Sequence, residues 1–122
     1  MIVLGTPKDA LIAAALEHYL YVGGWMSIRS APTTIQEFSA APDRFLEHCF
    51  AIFIVASGGR RLPEKLAQLR AITRRPLVAV SYLATTFELR DALRAGASDV
   101  LDFSRPIDAE IRSIFCRILT GS

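Results

Sequence analysis

The sequence predicts an α/β protein: a doubly wound, five-stranded parallel sheet with helices on both faces. Three observations predict it. Short apolar runs alternate with stretches of helical periodicity along all 122 residues. The connections between them are short, and Phe50 to Ala56 contains no polar residue, as expected of a central strand covered on both faces.

Met1 to Leu4 is the first strand, and Gly5-Thr6-Pro7-Lys8-Asp9 turns into the first helix. Thr6 is placed to cap it, Pro7 suits the first helical position, and Asp9 at the third completes a capping box. Leu11, Ile12, Ala15, Leu16, Tyr19 and Leu20 give an apolar stripe, and Gly23-Gly24 ends the helix. Trp25 to Arg29 alternates like a second strand. The turn Ala31-Pro32-Thr33-Thr34 follows, then a weakly helical region from Ile35 that Pro42 breaks or restarts.

The third strand, Phe50 to Ala56, opens into Ser57-Gly58-Gly59-Arg60-Arg61. Leu62 to Thr73 is helical, with Leu62, Leu66, Leu69 and Ile72 on one side and Pro76 past its end. Leu77 to Tyr82 makes the fourth strand. Thr85 or Thr86 caps a short helix through Phe87, Leu89, Ala92 and Leu93, stopped by Gly96, and Val100 to Phe103 is the fifth strand. Pro106 starts the last helix, whose apolar face is Ile107, Ile111, Ile114, Phe115, Ile118 and Leu119.

Composition narrows the function classes. A chain of this length, 52% apolar and 21% charged, suits a single domain spanning residues 1–122. Net charge is +2, without the basic footprint of a nucleic-acid binder, and each predicted helix is used to cover the sheet, leaving no helix-turn-helix. Only Lys8 and Lys65 are lysine among the fourteen basic residues; arginine in excess favours forked, interfacial contacts, although arginine-rich codon usage explains the same bias. No apolar run is long enough to span a membrane, and a secretory leader is not expected. Cys49 and Cys116 are expected as reduced, buried thiols of a cytoplasmic protein.

Ligands of such sheets bind outside the carboxyl ends of the strands, so the informative positions are Gly5-Thr6, Ala56-Ser57, Ser81-Tyr82 and Asp102 to Arg105. Ser57 lacks a base: His48 lies before the same strand, roughly 25 Å away at about 3.3 Å per residue, and the Gly-x-Ser-x-Gly elbow is absent. The Ser57 to Arg61 opening offers backbone amides and two guanidinium groups to a phosphate, but it matches neither the P-loop nor the dinucleotide fingerprint. His18, His48, Cys49 and Cys116 show no paired ligand spacing, so neither metal nor other cofactor is expected.

The order of elements and the stretch ALRAGASDVLDFSRPID, Ala92 to Asp108, resemble bacterial response-regulator receiver domains. In that family a helix ending in Ala-Gly-Ala precedes an acidic residue and the fifth strand, and a Lys-Pro pair leads into the last helix. Ala95-Gly96-Ala97-Ser98-Asp99 fits, and Arg105-Pro106 stands at the Lys-Pro position. The resemblance implies strand order 2-1-3-4-5 in a flavodoxin-like fold.

It also locates what is missing. Receivers hold a divalent cation on two acidic residues after strand one, accept phosphoryl on an Asp ending strand three, and sense it with a Thr or Ser after strand four. Here Gly5-Thr6-Pro7 replaces the acidic pair and Ala56, or Ser57 one residue on, replaces the acceptor; Ser81 matches the Thr/Ser position and Arg105 replaces the Lys. Magnesium needs carboxylate oxygens, and aspartyl phosphorylation needs its nucleophile, so the resemblance implies an atypical, non-enzymatic member that signals through protein contacts. The alternative is a phosphate or nucleotide-metabolite sensor using Thr6, Ser57, Ser81 and Arg105.

Receivers commonly pair through the helix before strand five, strand five and the last helix. That face would carry Arg90, Asp91, Arg94, Asp99, Asp108, Arg112 and Arg117, a mixture suited to a two-fold homodimer, a protein partner or an output domain. A solvated face with local pairs such as Asp108 with Arg112 is the equal alternative.

Overall fold

In a computed structural model of the chain, the described residues are 2–5, 9–25, 33–46, 51–55, 61–81, 86–102 and 108–120. The strands are β1 (Ile2–Gly5), β2 (Thr33–Thr34), β3 (Ile52–Val55), β4 (Leu77–Ser81) and β5 (Asp99–Asp102). The helices are α1 (Ala10–Val22), α2 (Ile35–Ala40), α3 (Pro42–Leu46), α4 (Arg61–Arg70), α5 (Thr86–Arg94) and α6 (Asp108–Thr120). All five strands are parallel, in the order β2-β1-β3-β4-β5, as expected.

Alternating side chains divide the core into two layers. Val3, Phe53, Val55, Val78, Val80 and Leu101 face α1 and α6, which contribute Leu16, Leu20, Ile111, Ile114 and Phe115. Leu4, Ile52, Ile54, Leu77 and Ala79 face the other way, onto Ile35 and Phe38 of α2, Leu62, Leu66 and Leu69 of α4, and Ala92 of α5. Every residue of β3 is buried, which is why it tolerates no polar side chain; burying each large one contributes about 1.5–3 kcal/mol.

Two helices end in the same way. Gly24 (φ 81°) lets the amide of Trp25 reach the Leu20 carbonyl at 2.9 Å while its own amide donates to Tyr21. Gly96 (φ 121°) lets Ala97 donate to the Ala92 carbonyl at 3.1 Å and itself donates to Leu93. Both are Schellman turns, and in both the left-handed residue is glycine. Thr34 caps α2, its Oγ1 accepting from the Glu37 amide at 3.1 Å.

The second strand lies later than expected. Thr33–Thr34 pairs with Leu4 and Gly5 instead of forming a turn. Trp25 does not begin a strand, because its amide closes α1 and its ring stacks on Phe115 of α6 with centroids 4.6 Å apart. Residues 26–32 are outside the described set. Asp9 stands at the N-cap of α1, one residue before Ala10, and makes no side-chain cap bond, so it is not the third helical residue of a capping box; Thr6 and Pro7 are outside the described residues.

The stripe expected of α1 is borne out in part: Leu16 and Leu20 are buried and Ile12 and Tyr19 pack against the same core, but Ala13 and Glu17 join them, whereas Leu11 is 87% exposed and Ala15 faces solvent. Apolar residues occur almost all round this helix, so periodicity offers two stripes and only packing selects between them. In α5, Ala92 takes the core position, while Leu93 is 46% exposed. Cys116 is exposed on α6 rather than buried, since Ile114 and Phe115 take the inward positions beside it; Cys49 is outside the described residues.

Candidate functional site

The carboxyl edge of the sheet is built from neighbouring strand ends. Gly5 of β1 lies beside Val55 of β3, and Ser81 of β4 lies beside Asp102 of β5. With β3 between β1 and β4, Gly5 and Ser81 stand roughly 10 Å apart, two strand spacings. Thr6, Ala56, Ser57 and Arg105 lie outside the described residues.

At Gly5 the backbone runs close under α1. A Cβ built there would stand 3.1 Å from the Cβ of Ala13, tighter than ordinary van der Waals contact. Helix packing against the end of β1 therefore favours glycine there. The described ends of β1 and β3 are thus Gly5 and Val55, neither of them acidic.

Two carboxylates do sit in this region. Asp9, 3% exposed, precedes the first turn of α1, and Asp102 is half-buried at the end of β5. Each is engaged in an interaction within the protein. Among the described residues, no group of three His, Cys, Asp or Glu side chains is arranged to hold a metal ion.

All seven residues of the expected charged face on α5, β5 and α6 are among the described ones. Arg90, Asp91 and Arg94 are exposed on α5, and Asp108, Arg112 and Arg117 are exposed on α6. Asp99, at the start of β5, is half-buried and receives the Nε–H of Arg117 at 2.6 Å, while its other oxygen accepts the Val100 amide at 2.9 Å. That hydrogen bond raises the Arg117 guanidinium above its ordinary range. The charge pairing among the described residues of this face is therefore Arg117 with Asp99, between α6 and β5, rather than Asp108 with Arg112 within α6.

Arg70, which belongs to no recognisable sequence motif, organises the turn leading into that face. From the end of α4 its Nε and Nη2 donate to the Gly96 carbonyl at 3.1 and 2.7 Å, and its Nη1 donates to the carbonyls of Arg75 at 2.8 Å and Thr73 at 3.3 Å. Ser98 completes the junction, its amide donating to the Leu77 carbonyl at 2.7 Å and its Oγ accepting from the Leu77 amide at 3.3 Å. Partial burial lowers the Arg70 guanidinium from its usual value. The Ala-Gly-Ala segment was the available clue: a turn with φ > 0 exposes a carbonyl that a forked donor can satisfy. No sequence spacing marks Arg70 as that donor, 26 residues away.

The fold defines an open, doubly wound α/β domain of the CheY-like, flavodoxin type. It is similar to a two-component response regulator from Clostridium difficile (TM-score 0.61, 21% identity, covering 97% of this chain and 93% of that one). It is similar also to a CheY-like response regulator from Mesorhizobium loti (TM-score 0.55, 19% identity, 94% and 95% covered). The TrkA-N domain of the inner membrane protein ybaL from Escherichia coli shares the architecture more distantly (TM-score 0.53, 15% identity, 97% and 95% covered). At these identities the likeness is one of fold. No protein-family model matches the sequence, and no curated protein does. Among the described residues no helix is long and apolar enough to cross a membrane.

Proposed function

We propose that the chain is an atypical receiver domain that signals without phosphorylation, as a non-catalytic protein-interaction module. The observation that carries this reading is Gly5. At the place where the receiver resemblance puts the start of an acidic pair, β1 ends in a glycine, where any Cβ would stand 3.1 Å from the Cβ of Ala13 in α1. The chain continues with Thr6-Pro7 after Gly5 and with Ala56-Ser57 after Val55, so neither stretch supplies the carboxylates that magnesium and an acyl phosphate require. The similarity to two response regulators supports a signalling role on the same scaffold.

The contact surface in this reading is the α5–β5–α6 face. With Asp99 held by Arg117, its outermost charges among the described residues are Arg90, Arg94 and Arg112 against Asp91 and Asp108, a pattern that suits a protein partner or output domain with an acid-weighted surface. Incubation with acetyl phosphate and magnesium, followed by intact-mass measurement, tests the reading. An unchanged mass is expected; gain of one phosphoryl group would overturn it.

A further inference from the structure

We propose that the amino edge of the sheet, at the starts of β4 and β5, docks an acidic segment of a partner protein through Arg74, Arg75 and Arg94. This surface goes beyond the reading above: it lies at the opposite end of the strands from the carboxyl edge, and it does not depend on whether the chain is phosphorylated.

The helices of a doubly wound sheet end at its amino edge, and here three of them end in arginine. Arg70 lies in the last turn of α4, Arg94 closes α5, and Arg117 lies in the last turn of α6. Two are engaged within the protein, Arg70 by the carbonyls of Gly96, Arg75 and Thr73 and Arg117 by Asp99. Arg94 is exposed, and its guanidinium has no hydrogen bond or ion pair among the described residues.

Arg74 and Arg75 are likewise exposed and unpartnered through their side chains. They lie past the end of α4, beyond the reach of its dipole, so helix charge complementarity does not account for them. The backbone that carries them is nevertheless fixed. The Arg75 carbonyl accepts from Arg70 at 2.8 Å, its amide donates to Oγ1 of the buried Thr73 at 3.0 Å, and Pro76 follows. The turn is thus ordered before any ligand arrives, which lowers the entropic cost of binding there.

Arg70 also brings two turns together. Its fork holds the carbonyls of Arg75 and Gly96 within about 8 Å of each other, and Arg94 stands two residues before Gly96. Opposing charge is sparse: the described carboxylates beside these turns are Asp91 in the last turn of α5 and Asp99, which Arg117 engages.

These features select the occupant. Guanidinium forks match carboxylates in pairs of hydrogen bonds. An extended peptide with Asp or Glu at alternate positions sets its carboxylates about 7 Å apart on one side, close to the separation of the two turns. A nucleic acid suits the surface less well, because binding dominated by phosphates needs a basic stripe and this chain carries a net charge of +2.

The test is fluorescence anisotropy of a labelled oligoglutamate peptide titrated with the full chain at low salt, with oligothymidylate of equal length as a second probe. Saturable binding of oligoglutamate is expected, tighter than that of oligothymidylate and weakened by added salt. Arg74→Gln with Arg75→Gln should weaken it at least about tenfold, and Arg94→Gln at least about threefold. None of these side chains bonds a described residue, so the fold is kept, and far-ultraviolet circular dichroism checks it. Arg90→Gln with Arg112→Gln removes as many charges from the α5–β5–α6 face as the first pair does here, and should leave binding unchanged. No binding at millimolar protein, or tighter binding of oligothymidylate, overturns the proposal. So does an equal loss in the Arg90 and Arg112 variant, which assigns the acidic probe to the α5–β5–α6 face or to net charge alone. A phosphoryl group gained from acetyl phosphate would instead overturn the reading above and leave these affinities where they stand.

Discussion

Arg70 grips the carbonyl of Gly96 with two nitrogens, at 2.7 and 3.1 Å, and so fastens the end of α4 to the turn between α5 and β5. The same side chain bonds the Arg75 carbonyl at 2.8 Å, so one planar guanidinium holds both the loop leaving α4 and the turn beside it.

Arg70→Ala should therefore destabilise the protein by about 1–3 kcal/mol, since carbonyls that a charged donor satisfied lose it. Arg70→Lys should recover little, because an ammonium cannot reproduce the fork. Urea denaturation followed by circular dichroism measures both.

Gly96→Ala and Gly24→Ala should differ. Both positions have left-handed backbone, which costs an L-residue about 1–2 kcal/mol. At Gly96 a new Cβ would also meet Arg70 Cγ at 3.2 Å, whereas nothing lies within 4 Å at Gly24. The larger loss of denaturation midpoint is expected at Gly96, and equal losses would show that the Arg70 contact yields freely.

Gly5→Asp, which adds a carboxylate at the end of β1, should destabilise the domain by about 1–3 kcal/mol through its clash with Ala13. Adding Ala13→Gly should relieve part of that loss. Neither variant should gain thermal stability from magnesium, because a single carboxylate makes a poor site for a cation that demands octahedral oxygen ligands. Melting temperatures with and without magnesium check this.

Trp25 and Phe115 lie nearly parallel, 7° apart, and tie the end of α1 to α6. Phe115, 6% exposed, also contacts Phe53, so Phe115→Ala should cost about 3–5 kcal/mol. A double-mutant cycle with Trp25→Ala should return a coupling of about 0.5–1.5 kcal/mol for the stack.

Arg117→Ala should cost no more than about 1 kcal/mol, since the guanidinium is 59% exposed and its pair with Asp99 is open to solvent. The pair raises the arginine, so its contribution is complete below the ordinary arginine range and disappears only when pH passes the raised value. Wild-type and variant stabilities should thus stay parallel between about pH 6 and pH 9.

The fold was legible because its signals are redundant: the wholly apolar β3, Gly24 and Gly96 at helix ends, and Pro42 separating α2 from α3 all point to one architecture. β2 was displaced because its two paired residues are both threonine and carry no hydrophobic alternation, while the bulky Trp25 that mimicked a strand is claimed by α6. α1 was placed with most of its stripe, Ile12, Leu16, Tyr19 and Leu20, but Leu11 was not, since Leu11 and Leu16 are equally apolar and only the sheet distinguishes them. At the site, the glycine ending β1 was visible in sequence, but its crowding by Ala13 was not. Asp99 was identified as a surface charge, yet its capture by Arg117 depends on how α6 lies against β5.

The most direct measurement of the central claim is an amide NMR titration of the protein with magnesium and then beryllium fluoride, which stands in for a phosphoryl group. A phosphorylation-independent module predicts unchanged spectra through both additions. Saturable shifts centred on Ser57, Ser81 and Arg105 would contradict it and assign the strand edge to anion binding.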